Sequence, residues 1–119
     1  MVTKQTLTDE KCCRMKSVGG YCPKPLEHAS EFLSKKWTIS IIITIGNFGN
    51  LRFTDLKERM EKATAKILSQ RLKELENEGL IERIAYDEVP PRVEYNLTRR
   101  GKQLLNVLVP LITWAEKQN

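Results

Sequence analysis

Apolar positions recur along the chain with two periods, and the change from one to the other marks the elements. Leu26, Ala29, Phe32 and Leu33 fall at i, i+3, i+6 and i+7, which predicts an amphipathic helix that Pro25 can open from its first turn. "TISIIITIGNFG" (38–49) is apolar on nearly all sides, as a central buried helix would be, although its isoleucine run suits a strand equally well by periodicity alone. Gly46 and Gly49, with Asn47 and Asn50, end it. "LRF" (51–53) reads as a short extended piece. Thr54 is then a good N-cap for a helix of about two turns in which Leu56 and Met60 lie one turn apart. Thr64 is a second N-cap candidate, close enough to the first that the two helices must be joined by a tight turn.

The helix predicted over 64–78 has a single apolar stripe, Ala65, Leu68, Leu72 and Leu75. Lys66, Gln70, Lys73 and Asn77 lie opposite, with Ser69 at the edge, and Gly79 stands where a left-handed residue caps a helix end. Two strands follow, "LIERIAY" (80–86) and "RVEYNLT" (92–98). In the second, Val93, Tyr95 and Leu97 alternate with Arg92, Glu94 and Asn96; the first alternates poorly. "DEVPP" between them is a loop, because its prolines cannot donate to a ladder. The last helix, 99–117, carries Leu104, Leu108, Leu111 and Ala115 on one face, widened by Leu105, Val109, Ile112 and Trp114. That is more apolar surface than a small core needs, so a dimer interface is expected there, with Pro110 kinking or splitting the helix.

A short capped helix, a tight turn, a second capped helix and then a hairpin predict a winged helix-turn-helix: a mainly α chain with a small β-hairpin, of the α+β class, dimerising through its terminal helices. The 119 residues support one domain, here 22–119, preceded by a polar arm over 1–21 that ends in "GGY". The formal net charge of +5 favours a polyanionic partner, nucleic acid before an acidic membrane surface. No apolar run approaches a membrane span, and the N-terminus has no apolar segment of the secretory kind, so a cytoplasmic protein is expected. No nucleophile elbow, phosphate-cradling glycine loop or second histidine is present, so neither an enzyme nor a cofactor is expected. His28 reads as an ordinary surface or interface residue. Cys12, Cys13 and Cys22 make an odd count, which argues against a disulfide framework in a reducing compartment, and their spacing fits no standard zinc pattern, so no metal is expected.

Several pieces in fixed order also carry a family likeness: "CP" at 22–23, "KW" at 36–37, "RFTDL" at 52–56, "ILSQRLKELENEGLIER" at 67–83, "VPPRVEYNLTRRG" at 89–101, and Trp114. From Cys22 to Trp114 the chain resembles the HxlR-type transcriptional regulators, a branch of the MarR-like winged helix proteins. The resemblance implies a homodimer on operator DNA, a recognition helix at 64–78 and a wing tip at 86–92. It also implies that Cys22 stands where some members keep a redox or electrophile sensor, with Lys24 a nearby cation able to lower its pKa. The chain departs from the family pattern at Ala65, where a polar residue is common, at Pro110, and at the Cys12-Cys13 pair.

Each candidate has a chemical reason. Early side chains of a recognition helix reach base edges in the major groove. Gln70 can bond adenine bidentately, and Lys66 can take guanine acceptors or a phosphate. Thr64 and Ser69 can bond phosphates or bases, Ala65 lies beside them, and Lys73 is better placed for the backbone. At the wing, Arg92 can enter a narrow minor groove, although Asp87 and Glu88 repel phosphates and can pair with it instead. Arg52, Lys57 and Arg59 can hold phosphates, whereas Arg99 and Arg100 are as well explained as solvated surface. Leu104, Leu105, Leu108, Leu111, Ile112 and Trp114 are the candidate dimer contacts. The function these residues predict is a homodimeric, sequence-specific regulator on a pseudo-palindromic operator. The alternative is a winged-helix module that binds protein and not DNA, whose exposed helix face would be apolar or acidic.

Overall fold

A computed structural model describes residues 19–118. Most of the expected arm, including Cys12 and Cys13, lies outside the described residues. Chain contacts define two compact units, which divide between Lys35 and Lys36.

The first unit holds helix α1, Lys24–Leu33. Pro25 does sit in its opening turn. The amphipathic pattern there is not matched by deep burial: Leu26 is exposed, and Ala29, Phe32 and Leu33 are only half-buried.

The second unit is built from α2 (Thr38–Phe48), α3 (Phe53–Arg59), α4 (Ala65–Asn77), the strands β1 (Ile81–Tyr86) and β2 (Arg92–Leu97), and α5 (Arg99–Lys117). "TISIIITIGNF" is therefore a helix and not a strand. Its Ile41, Ile42 and Ile45 are fully buried and form the centre of the core with Leu56, Leu68, Leu72, Leu75, Leu80 and Ile81. Each such side chain contributes about 1.5–3 kcal/mol by leaving water. On α2, a side chain at Gly46 would run into the Leu105 methyl groups, so the missing Cβ lets α2 and α5 approach closely.

The helix-turn-helix forms as the pattern predicts, with one correction. The N-cap of α3 is Arg52 and not Thr54, because Asp55 reaches back to accept the Arg52 backbone N–H at 3.0 Å. Phe53 thereby joins the helix, and only Leu51 of the expected extended piece pairs as a strand, through two backbone hydrogen bonds with Tyr95. Thr64 caps α4 as expected, its hydroxyl accepting from Ile67 N–H at 3.1 Å. Gly79, at φ 74°, ends α4 in a Schellman motif. There the N–H groups of Gly79 and Leu80 donate to the carbonyls of Glu76 and Leu75.

The hairpin pairs antiparallel, Ile81 opposite Leu97 and Tyr86 opposite Arg92. The alternation of β2 does not become one buried and one wet face: Arg92 to Asn96 are all half-buried and only Leu97 is buried. Side chains of the hairpin itself cover the second face, as described below. Helix α5 is continuous through Pro110, so the proline does not split it. The missing N–H frees only the Asn106 carbonyl, and both residues are exposed, so water can satisfy it.

Candidate nucleic-acid interface

Helix α4 turns the three leucines of its apolar stripe inward, whereas Ala65 of that stripe is exposed. Leu68, Leu72 and Leu75 are buried, and Lys66, Ser69, Gln70 and Lys73 are all exposed. The structure thus brings the four polar candidates together on the outer face of the first turns, with Thr64 and Ala65 exposed at the N-terminal end. Gln70 has only a weak contact, 3.5 Å to Glu74. Neither Lys66 nor Lys73 has an ion-pair partner among the described residues.

The helix is held by a residue that the periodicity does not single out. Half-buried Arg71 donates from Nε to the Lys36 carbonyl at 2.9 Å and pairs with Glu74 at 3.3 Å. Only the i, i+3 spacing of Arg71 and Glu74 signals this in the sequence. It ties α4 to the turn before α2, where Trp37 adopts φ 80° and Lys36 lies over the Trp37 ring at 5.3 Å.

At the wing, Arg92 is engaged within the protein. Its guanidinium stands 2.9 Å from Glu88 and 3.6 Å from Glu94, and lies 3.9 Å above the Tyr86 ring. The Tyr86 hydroxyl donates to Glu94 at 3.2 Å, which closes the cluster. Arg92 Nε is buried without a hydrogen-bond partner. These side chains cover the outer face of the hairpin and leave Val89 fully exposed at the tip. Elsewhere, Arg52 is exposed, Lys57 bonds the Glu61 carbonyl at 3.3 Å, and Arg59 stacks on Phe48 at 3.8 Å.

Helix α5 separates its apolar residues into two neighbouring stripes. Gly101, Leu105, Leu108 and Ile112 face the core. Leu104, Val107, Leu111 and Trp114, spaced three, four and three apart, form the other stripe, and the last three are more than half exposed. Leu108 is 5% exposed and is taken up by the protomer's own core. Val107, which the sequence reading passes over, joins the outer stripe.

Cys22 is half-buried and disulfide-bonded. His28 is exposed, 3.6 Å from Glu31. No helix among the described residues is long and apolar enough to cross a membrane, and no group of three metal-ligating side chains occurs among them.

Known proteins share this arrangement. Residues 32–119 match the HxlR-like helix-turn-helix family. An uncharacterized HTH-type transcriptional regulator of Methanothermobacter thermautotrophicus is 41% identical over 91 residues, 76% of this chain and 69% of that protein. The redox regulator HypR in its oxidized form superposes with a TM-score of 0.73 at 30% identity, covering 78% of this chain and 95% of that one. A MarR-family regulator from Porphyromonas gingivalis superposes with a TM-score of 0.74 at 30% identity, covering 97% and 100%. With its helix-turn-helix, its hairpin and these relatives, the chain belongs to the HxlR-like helix-turn-helix family of transcriptional regulators.

Proposed function

We propose that the protein binds double-stranded DNA as a homodimer and reads its operator with α4. The observation that carries this reading is the outer face of α4, where Lys66, Ser69, Gln70 and Lys73 are exposed together on a helix anchored by three buried leucines. Such a face presents donors at base-edge and phosphate reach when the helix enters a major groove. It carries two lysines and a glutamine, where a protein-binding face would be apolar or acidic.

In this reading Leu104, Val107, Leu111 and Trp114 form the dimer seam, because their spacing keeps one stripe facing a partner helix. Arg52 holds a phosphate beside α3. Arg92 serves the wing by holding its shape: with two carboxylates and an aromatic face around it, little of its charge is left for DNA. Cys22 tunes DNA affinity through its oxidation, in which two thiols give up two protons and two electrons to an oxidant as the disulfide forms. Its disulfide in the structure and the likeness to HypR, a redox regulator, support this.

The test is the salt dependence of binding to a fragment selected from random-sequence DNA. The log of the affinity should fall linearly with log salt, with a slope of about −0.9 for each phosphate neutralised. A protein that selects no sequence, or whose binding ignores salt, does not work this way.

A further inference from the structure

Where α4, β1 and α5 meet, three successive carbonyls at the end of α4 are held from the start of α5. The Thr98 hydroxyl donates to the Gly79 carbonyl at 2.6 Å, and the Thr98 N–H donates to the Leu80 carbonyl at 3.0 Å. The Arg100 guanidinium bonds the Glu78 carbonyl. The same Thr98 hydroxyl accepts the Gly101 N–H at 3.0 Å and so caps α5. Gly101 completes the contact: any side chain there would collide with the Leu80 carbonyl oxygen, and its Cβ would lie 3.1 Å from the carbonyl carbon and 3.2 Å from Leu97.

These bonds exceed what the cap of a helix requires. One hydroxyl serves two helices at once, accepting at the N-terminus of α5 and donating just past the C-terminus of α4. A guanidinium at that C-terminus also answers the negative end of the α4 dipole. The end of α4 and the start of α5 therefore cannot move apart or turn independently without breaking several hydrogen bonds together.

We propose that Thr98 and Arg100, with Gly101 admitting them, form a rigid joint that sets the angle of the DNA-reading helix relative to the dimer helix. They are positioning residues for operator recognition. This inference rests on the reading that α4 contacts DNA within a dimer joined through α5. In such a dimer each α5 is fixed to its partner, so the joint fixes how far apart and at what angle the two α4 helices meet the duplex. Its role is to make the protein selective for one half-site spacing.

A spacing series tests it. DNA is first selected from a random-sequence library by the wild-type protein. The distance between its half-sites is then lengthened or shortened by one base pair, which moves one half-site by ~3.4 Å and turns it by roughly 34°. The wild-type affinity should fall about tenfold or more at each step, comparable to losing a base contact. Thr98→Val and Arg100→Ala should remain dimeric and bind the selected site, yet lose no more than about threefold per step. Thr98→Ser, which keeps the hydroxyl, should restore the steep preference. Ile42→Val, a core variant that lowers thermal stability without touching the joint, should keep it. Because the readout is a ratio between two DNAs, loss of the Arg100 charge cancels from it.

Dimeric variants that keep the steep spacing preference overturn the joint. Should Thr98→Val fail to fold, Arg100→Ala decides alone, since its side chain lies at the surface. A wild-type protein that selects no paired half-sites overturns the dimeric DNA-reading itself, a result seen before any variant is made.

Discussion

Replacing Gly101 by Ala on α5 should destabilise the protein, although the same change inside a helix ordinarily stabilises it by about 1 kcal/mol. Gly101 does not have a positive φ, so its backbone would accept alanine readily. The obstacle is the Leu80 carbonyl, on which the new methyl would land. The start of α5 must back away, and the two bonds from Thr98 to Gly79 and Leu80 lengthen with it. Losing both costs about 1–3 kcal/mol. Overpacking against Leu97 adds about 1–3 kcal/mol unless the shift relieves it. Set against the helix-propensity gain, the net loss is about 2 kcal/mol, or a fall in Tm of roughly 10 °C for a chain of this size. Thermal unfolding followed by circular dichroism, at one fixed protein concentration because the assembly is taken to be dimeric, measures it. A Tm that stays or rises would show that helix propensity outweighs the contact and that the joint is loose.

Three further outcomes follow from the same geometry. Arg92→Gln opens the Glu88–Tyr86–Glu94 cluster, so the hairpin should exchange amide hydrogens faster; the salt slope of DNA binding should not change, whereas loss of a phosphate contact would lower it by about 0.9. Leu111→Glu combined with Trp114→Glu should give a folded monomer by light scattering, with affinity lost for paired half-sites; a double variant that stays dimeric moves the interface elsewhere. Reducing the wild-type protein with a dithiol and then treating it with a mild thiol oxidant should change its DNA affinity between the two states, and Cys22→Ser should abolish the change; identical responses would remove Cys22 from any sensing role.

The architecture was legible wherever one residue type has one strong local preference. Thr64 could only cap, Gly79 could only end a helix, and the leucine stripe of α4 could only face a core. Thr54 has the better cap side chain, yet Asp55 supplies the winning bond one residue later in the chain and starts α3 from Arg52. Pro110 does not split α5, and the Asn106 carbonyl it frees is exposed and open to water. The two stripes of α5 could not be separated by hydropathy, since both are leucine-rich; only the position of the helix against Gly46 and Leu97 tells Leu105 and Leu108 from Leu111 and Trp114. The site divided along the same line. The exposed face of α4 follows from periodicity. The engagement of Arg92 depends on which of several nearby carboxylates it meets, and the joint at Thr98 joins residues 19 apart in the chain. The i, i+4 spacing offers the Glu88 pair to Arg92, but the Tyr86 and Glu94 contacts and the joint at Thr98 need the folded chain.

If α4 reads DNA through Lys66 and Gln70, the Lys66→Ala, Gln70→Ala double variant loses affinity for DNA selected by the wild type. Each base contact removed is worth about 1–3 kcal/mol, so binding to the selected site should weaken at least ~10-fold and approach the affinity for unselected DNA, with the dimer intact. A folded dimer that still prefers the selected site as strongly as the wild type would show that α4 does not read DNA through these two side chains.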